Sequence, residues 1–238
     1  MGSDPLRASL AERLTRMRGD HGALSDALLD VVVETVAPGG GDAVSVLRPR
    51  DWDELRHQEG AVARTTPYWA RLWPSGLALA DALALRDDLD GARVLELGAG
   101  LGLPSVVAAR AGARVLATDG VSDAVVFTAH NLAVNDLEGE VALVDWRAAD
   151  ALVERGPWDL IVAADVFYLR HNVDALLRLL PRLTNYGRGE VVIADPSRAG
   201  GRDFLAAARG LFRVETRADP ERERVNLHTL RRRGARRD

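Results

Sequence analysis

Glycines at 98, 100 and 102 alternate through the stretch VLELGAGLGLPS (residues 94–105), directly after an apolar run and beside the carboxylate of Glu96. Glycines so placed let a loop adopt positive φ and let its backbone approach a ligand closely. The dinucleotide fingerprint asks for a further glycine three residues beyond Gly100, yet Leu103 and Pro104 stand there. A carboxylate beside the loop also suits a diphosphate poorly. It suits a ligand that carries an amino group and a positive sulfur.

Three more carboxylates recur at the ends of apolar runs. Asp119 lies 21 residues after Gly98 and could accept both hydroxyls of a ribose, or simply cap a helix. NAD and S-adenosylmethionine share that feature, so Asp119 alone does not choose between them. Asp145 and Trp146 could take an adenine, the carboxylate accepting from its amino group and the indole covering its ring; Trp is equally at home in a core. In VAADVFYLR, Asp165 is followed one turn later by Tyr168. A carboxylate and a phenol can orient an amine through lone pairs and an aromatic face. The plainer alternative has Asp165 capping a helix, with Phe167 and Tyr168 in the core.

These residues need a scaffold, and the patterning from residue 91 onward supplies one. Apolar segments ARVLEL, ARVLATD, GEVALVDW, WDLIVAAD and GEVVIAD alternate with amphipathic helical segments, and FRVETRA and RVNLHTLRR close the series. The alternation predicts an α/β fold: a doubly wound, mostly parallel seven-stranded sheet with helices on both faces, Rossmann-like in type. Only ADPERER separates the last two strands, which predicts an antiparallel pair. Upstream, LRASLAERLTRM and ALSDALLDVVVETV both carry helical spacing, so residues 1–60 are expected to form an N-terminal helical extension. PGGGD breaks the chain at 38–42, AVSVLRP reads as a short strand, and RDWDELRHQ reads as a helix capped by Asp51. Residues 61–233 would form the main domain and 234–238 a basic tail.

Composition narrows the function. The 238 residues are 47% apolar and carry a formal charge of −4, which disfavours a general nucleic-acid or membrane-surface binder. No run of about 18 apolar residues suggests a membrane span. With no Cys, and no apolar leader in MGSDPLRASLAERL, a cytoplasmic protein is expected. His21, His57, His130, His171 and His228 are scattered without helical pairing, so no metal site is expected. All 31 basic residues are Arg. Coding bias accounts for that; the sharper reading is an enzyme that modifies lysines and has lost its own.

Taken in order, ELGAGLG, LATDG, VDW and AADVFY resemble the class I, seven-stranded S-adenosylmethionine-dependent methyltransferases. The resemblance is nearest to protein lysine methyltransferases with D-x-x-Y after the fourth strand, including those acting on the electron transfer flavoprotein β subunit and on molecular chaperones. It covers about residues 66–233. It implies that Gly98, Ala99 and Gly100 line the methionine part of the cofactor and that Asp119 holds the ribose. Trp146 would cover the adenine, Ala164 would touch the cofactor through its backbone, and Trp73, in PYWARLWPSGLALA, would close the site. Asp165 and Tyr168 occupy the D-x-x-Y positions and would act at the target nitrogen of a protein lysine. IADPSRAG resembles the flavoprotein-modifying enzymes while the C-terminal hairpin resembles the chaperone-modifying ones, so the resemblance fixes no substrate. A small-molecule N- or O-methyltransferase is the nearest alternative. A nicotinamide-dependent oxidoreductase is further off, since Leu103 counts against its phosphate loop.

Overall fold

The computed structural model describes residues 5–19, 23–61, 65–184 and 189–233; the expected basic tail and His21 lie outside them. The chain opens on α1 (Pro5–Arg18), which buries Leu10 and Leu14 one turn apart. The second expected helix is corrected by the structure. Only α2 (Asp26–Leu29) is helical, capped by the Ser25 hydroxyl, and β1 (Val31–Val36) follows it. Five of the six residues VVVETV are β-branched, which stiffens χ1 and favours the pleat over the helix. β1 pairs antiparallel with β2 (Val44–Pro49), and α3 (Trp52–Ala61) follows, its first turn held by the Asp51 carboxylate.

The extension is sewn onto the rest of the molecule by polar groups as well as by core. α4 (Pro74–Ala84), β3 (Arg93–Leu97), α5 (Leu103–Arg110), β4 (Arg114–Asp119) and α6 (Ser122–Ala133) come next in the chain. On α6, the Asn131 amide accepts from Leu47 N and donates to the Leu47 and Leu101 carbonyls. Asn135, one turn on, brackets Ser45 in the same way. Two side chains thus satisfy backbone groups along β2 that would otherwise form an open edge. At the other end of α6, buried Arg18 pairs with Asp123 through both carboxylate oxygens and lies 3.6 Å from Glu59 of α3. Removing the cation leaves two buried carboxylates without it. Arg18→Ala is therefore expected to cost about 3–5 kcal/mol, read as a fall of roughly 10 °C in Tm by thermal denaturation.

The remaining elements are β5 (Glu140–Leu143), α7 (Asp150–Glu154), β6 (Leu160–Ala164), α8 (Arg170–Leu183), β7 (Glu190–Asp195), α9 (Ala199–Ala208), β8 (Phe212–Ala218) and β9 (Asn226–Arg232). The sheet runs β5-β4-β3-β6-β7-β9-β8, with the first five strands parallel and β9 antiparallel to both neighbours. The last two strands pair as expected, but β9 inserts against β7 and leaves β8 at the edge. β5 is shorter than its sequence segment, and Trp146 sits beyond it in a 3-10 turn. Residues alternate between the two faces. Val94, Val115, Val162 and Val192 pack toward α4, α5 and α6, while Leu95, Leu116, Ile161 and Ile193 pack toward α8 and α9. Leu10, Leu14, Leu28, Leu47 and Leu55 of the extension belong to the first of these clusters. Strand order reverses between β3 and β6, and the crevice over their carboxyl ends is where an open α/β sheet takes its ligand.

Candidate active site

Two loops meet at that crevice. After β3, Gly98, Gly100 and Gly102 all take positive φ, at 72°, 59° and 74°. The loop is tied to the next strand: Gly98 N and Ala99 N donate to the Thr118 carbonyl, and Gly100 N donates to Asp119 Oδ2 at 2.9 Å. Asp119 Oδ1 accepts from Val121 N. One buried carboxylate therefore fixes both the glycine loop and the start of α6, and burial pushes its pKa up. Gly102 is demanded by packing as well as by φ, and Gly98 is demanded by φ and sits in a close fit. A Cβ on Gly102 would lie 2.6 Å from Thr128 Cγ2, and one on Gly98 would lie 3.2 Å from Val166 and 3.3 Å from the Trp146 ring. Trp146 thus lies on the loop, with its indole nitrogen buried and without a hydrogen-bond partner.

Glu96 is not at the crevice surface. It lies buried beneath the loop, where its Oε2 accepts from both the backbone N and the hydroxyl of Ser105 in the first turn of α5. Burial pushes its carboxyl up to about 8, with the Asp119 charge adding to the effect. A carboxyl raised on folding adds stability that is complete below its unfolded value near 4.5 and is lost as pH climbs through about 8. Glu96→Gln keeps an oxygen for Ser105 and removes that titration. The variant is expected to match wild type near pH 5 and to exceed its Tm at pH 8.5, as thermal melts across that range would show.

The second loop begins at Asp165, directly after β6. Its φ of +54° turns the chain over the end of the sheet while its N–H still donates to the Ala194 carbonyl of β7. A non-glycine residue in the left-handed region is a strained placement that recurs at functional sites. Its carboxylate receives Arg198, Nε on Oδ1 at 2.5 Å and Nη2 on Oδ2 at 2.9 Å. Ala164, the residue before it, ends β6 and is half-buried. Tyr168 is 46% exposed, and its ring centroid is 5.4 Å from that of Tyr68. Burial of the Tyr168 phenol, followed by the Asp119 charge, raises its pKa.

Tyr68 opens an aromatic group that continues away from Asp165. Its ring stands 6.3 Å from Trp73 and 6.4 Å from Trp52, and the two indoles meet edge to face at 6.2 Å. The Trp73 indole N–H donates to the Tyr68 carbonyl, that of Trp52 donates to Pro67, and the Arg71 guanidinium lies over both indoles. Asp145 stands at the opposite rim, where its carboxylate caps the 3-10 turn by accepting from Arg147 N and pairs with the Arg147 guanidinium, which holds the carboxyl down at about 2.

The structure thus gathers Gly98, Ala99, Gly100, Asp119, Trp146, Ala164, Asp165 and Tyr168 around the carboxyl ends of β3, β4 and β6. It sets Glu96 below them and Asp145 and Trp73 at the rim. Sequence reasoning missed Arg198, Tyr68 and Trp52. Arg198 had a signal, a cation three residues after the strand-ending Asp195; Trp52, far upstream, had none. Of the histidines, His130 and His228 are buried with pKa lowered chiefly by burial, and His228 Nδ1 is bonded to Thr216. Among the described residues, no three His, Asp or Glu side chains gather to hold a metal ion.

Sheet order, crevice and glycine loop define a class I methyltransferase fold. The same fold is found in the T. thermophilus 16S rRNA N2 G1207 methyltransferase, which is 19% identical with a TM-score of 0.65 over 89% of this chain and 52% of that one. Residues 61–209 match the model of a lysine methyltransferase family, and the chain belongs to that family. It is 36% identical over 135 residues to the electron transfer flavoprotein beta subunit lysine methyltransferase of Danio rerio, covering 56% of this chain and 51% of the relative. It is 35% identical over 176 residues to protein N-lysine methyltransferase METTL21A of the same species, covering 67% and 79%. The chain spans about half the length of the flavoprotein-modifying relative.

Proposed function

We propose that this protein transfers a methyl group from S-adenosylmethionine to the side-chain amine of a lysine in a partner protein. The observation that carries this reading is the pairing of a strained carboxylate, Asp165, with the Tyr168 phenol at the mouth of the glycine loop, in a chain of this family. The residues present fit the cofactor. The positive-φ loop leaves its backbone open to close approach, and Asp119, bonded to that loop at the end of β4, would accept the ribose hydroxyls. Gly98, Ala99, Gly100 and the Ala164 backbone would hold the methionine end, Trp146 and Asp145 the adenine, and Trp73 would close the site. When bound, S-adenosylmethionine supplies a methyl carbon made electrophilic by a positive sulfur.

The chain's own task is to align and desolvate the amine. A lysine amine has a reference pKa of about 10.4, so roughly 99.9% of it is protonated at pH 7 and holds no lone pair. Asp165 accepts one N–H of the neutral amine and so aims its lone pair. Tyr68, Tyr168 and Trp73 flank the aliphatic stem and exclude water. Residues 61–233 form the catalytic unit in this reading, and the extension contributes Trp52 to its rim. The enzyme is placed in the cytoplasm on its cysteine-free composition. No helix among the described residues is long and apolar enough to cross a membrane. The electron transfer flavoprotein β subunit and molecular chaperones are the first acceptors to try.

The test is transfer of labelled methyl from S-adenosylmethionine into a lysate of the parent organism, separated into protein, nucleic acid and small molecules, with Asp165→Ala run in parallel. A discrete labelled protein lost in the variant is the expected result. Label confined to small molecules would make the function metabolite methylation.

A further inference from the structure

We propose that Arg198 is a positioning residue that holds Asp165 as an ion pair, so that the acceptor amine meets a hydrogen-bond acceptor carrying little net charge. This rests on the reading of an amine acceptor at Asp165. The pair is built by the backbone. β7 ends at Asp195, whose Oδ2 accepts from Arg198 N at 2.9 Å, and Ser197 between them takes a φ of +62°. That turn starts α9 and sends the guanidinium sideways across the sheet end, one strand over, to Asp165. The Asp165 side chain is only 9% exposed, whereas that of Arg198 is 37% exposed and reaches solvent.

A carboxylate alone beside an amine would favour the ammonium, and each unit by which it raised the amine pKa would remove about tenfold of the reactive neutral form. A bidentate guanidinium cancels most of that attraction. It uses one lone pair on each carboxylate oxygen and leaves others to accept the amine N–H. The groups that face this pair are Asp195 from β7, Tyr68 from the segment before α4 and Tyr168 from the loop of Asp165 itself, and Asp119 from β4 acts in turn on Tyr168. Asp195 and Asp119 are both buried, and burial raises each carboxyl. Arg198 supplies the positive charge in contact with Asp165.

The test needs no acceptor protein. Sinefungin, the S-adenosylmethionine analogue with a primary amine in place of the methylsulfonium, presents that amine where the methyl would point. Its affinity and that of S-adenosylhomocysteine would be measured by calorimetry from pH 6.5 to 9. Wild type, Arg198→Gln, Arg198→Lys and the double variant Arg198→Gln/Asp165→Asn would be compared. At pH 7, Arg198→Gln is expected to tighten sinefungin relative to S-adenosylhomocysteine by about tenfold, equivalent to a one-unit shift in amine pKa. The gain should fade as pH rises through the amine's own titration. It should be absent in the double variant, and Arg198→Lys should remain within about twofold of wild type, as a retained cation requires. Constant S-adenosylhomocysteine affinity would show that the fold and cofactor site are intact. An unchanged ratio in Arg198→Gln, a gain that survives in the double variant, or a parallel loss of S-adenosylhomocysteine binding would each overturn the proposal. Failure of the amine-acceptor reading would appear elsewhere, as absence of label from protein, and would leave the sinefungin ratio free to shift.

Discussion

Replacing Asp165 with Ala is expected to lower methyl transfer into protein by roughly 10²- to 10³-fold, the range lost when a reacting group is no longer held in line. Affinity for S-adenosylhomocysteine should stay within about twofold, because the Asp165 side chain is bonded to Arg198 and to none of the glycine-loop residues. Stability should change little, since the Asp165 backbone keeps its bond to Ala194 and the freed guanidinium is 37% exposed. Single-turnover transfer of label and calorimetry on the same preparation separate the two effects. A tenfold loss of S-adenosylhomocysteine binding would make Asp165 a cofactor residue. Undiminished transfer would remove D-x-x-Y from the acceptor site.

Asp119 should behave in the opposite way. Asp119→Ala is expected to weaken S-adenosylhomocysteine binding by at least about 10²-fold, because bonds to a charged acceptor contribute about 1.5–3 kcal/mol each and the proposed site gives Asp119 two ribose hydroxyls. The variant also frees Gly100 N and Val121 N, so the loop loses the group that shapes it even before ligand arrives. Tm should fall together with affinity. Asp119→Asn, which retains one accepting oxygen, should lie between the two. Retention of S-adenosylhomocysteine affinity within about threefold in Asp119→Ala would mean that the ribose is held elsewhere.

Much of the sheet was legible because buried parallel strands leave a strong mark. Runs such as VLEL, VLATD and LIVAA are short, apolar and separated by amphipathic helices, and each became a strand. The helix expected at 23–36 failed where β-branched residues crowd together. VVVETV supports apolar spacing at either period, and pairing with β2 decided it. The insertion of β9 between β7 and β8 was invisible, since a hairpin reads the same whichever strand faces the sheet. At the site, Asp119, Asp165 and Tyr168 were readable because strand ends in this sheet open on the crevice. The position of Glu96 beside the glycine loop in the sequence predicts a neighbour of the ligand. In the structure its side chain points into the face covered by α5, where Ser105 takes it. Trp52 reaches the aromatic group only through the packing of the extension, and no local pattern announces such a contact.

The proposed activity is defined by which atom receives the methyl group. The decisive measurement is acid hydrolysis of the labelled protein band, followed by amino-acid analysis of the label. The enzyme contains no lysine, so its own side chains contribute no methyllysine background. Recovery of the label as Nε-methylated lysine, absent when Asp165→Ala is used, is the predicted result. Label recovered as methylarginine or as an ester, or in the same yield with the variant, would contradict it.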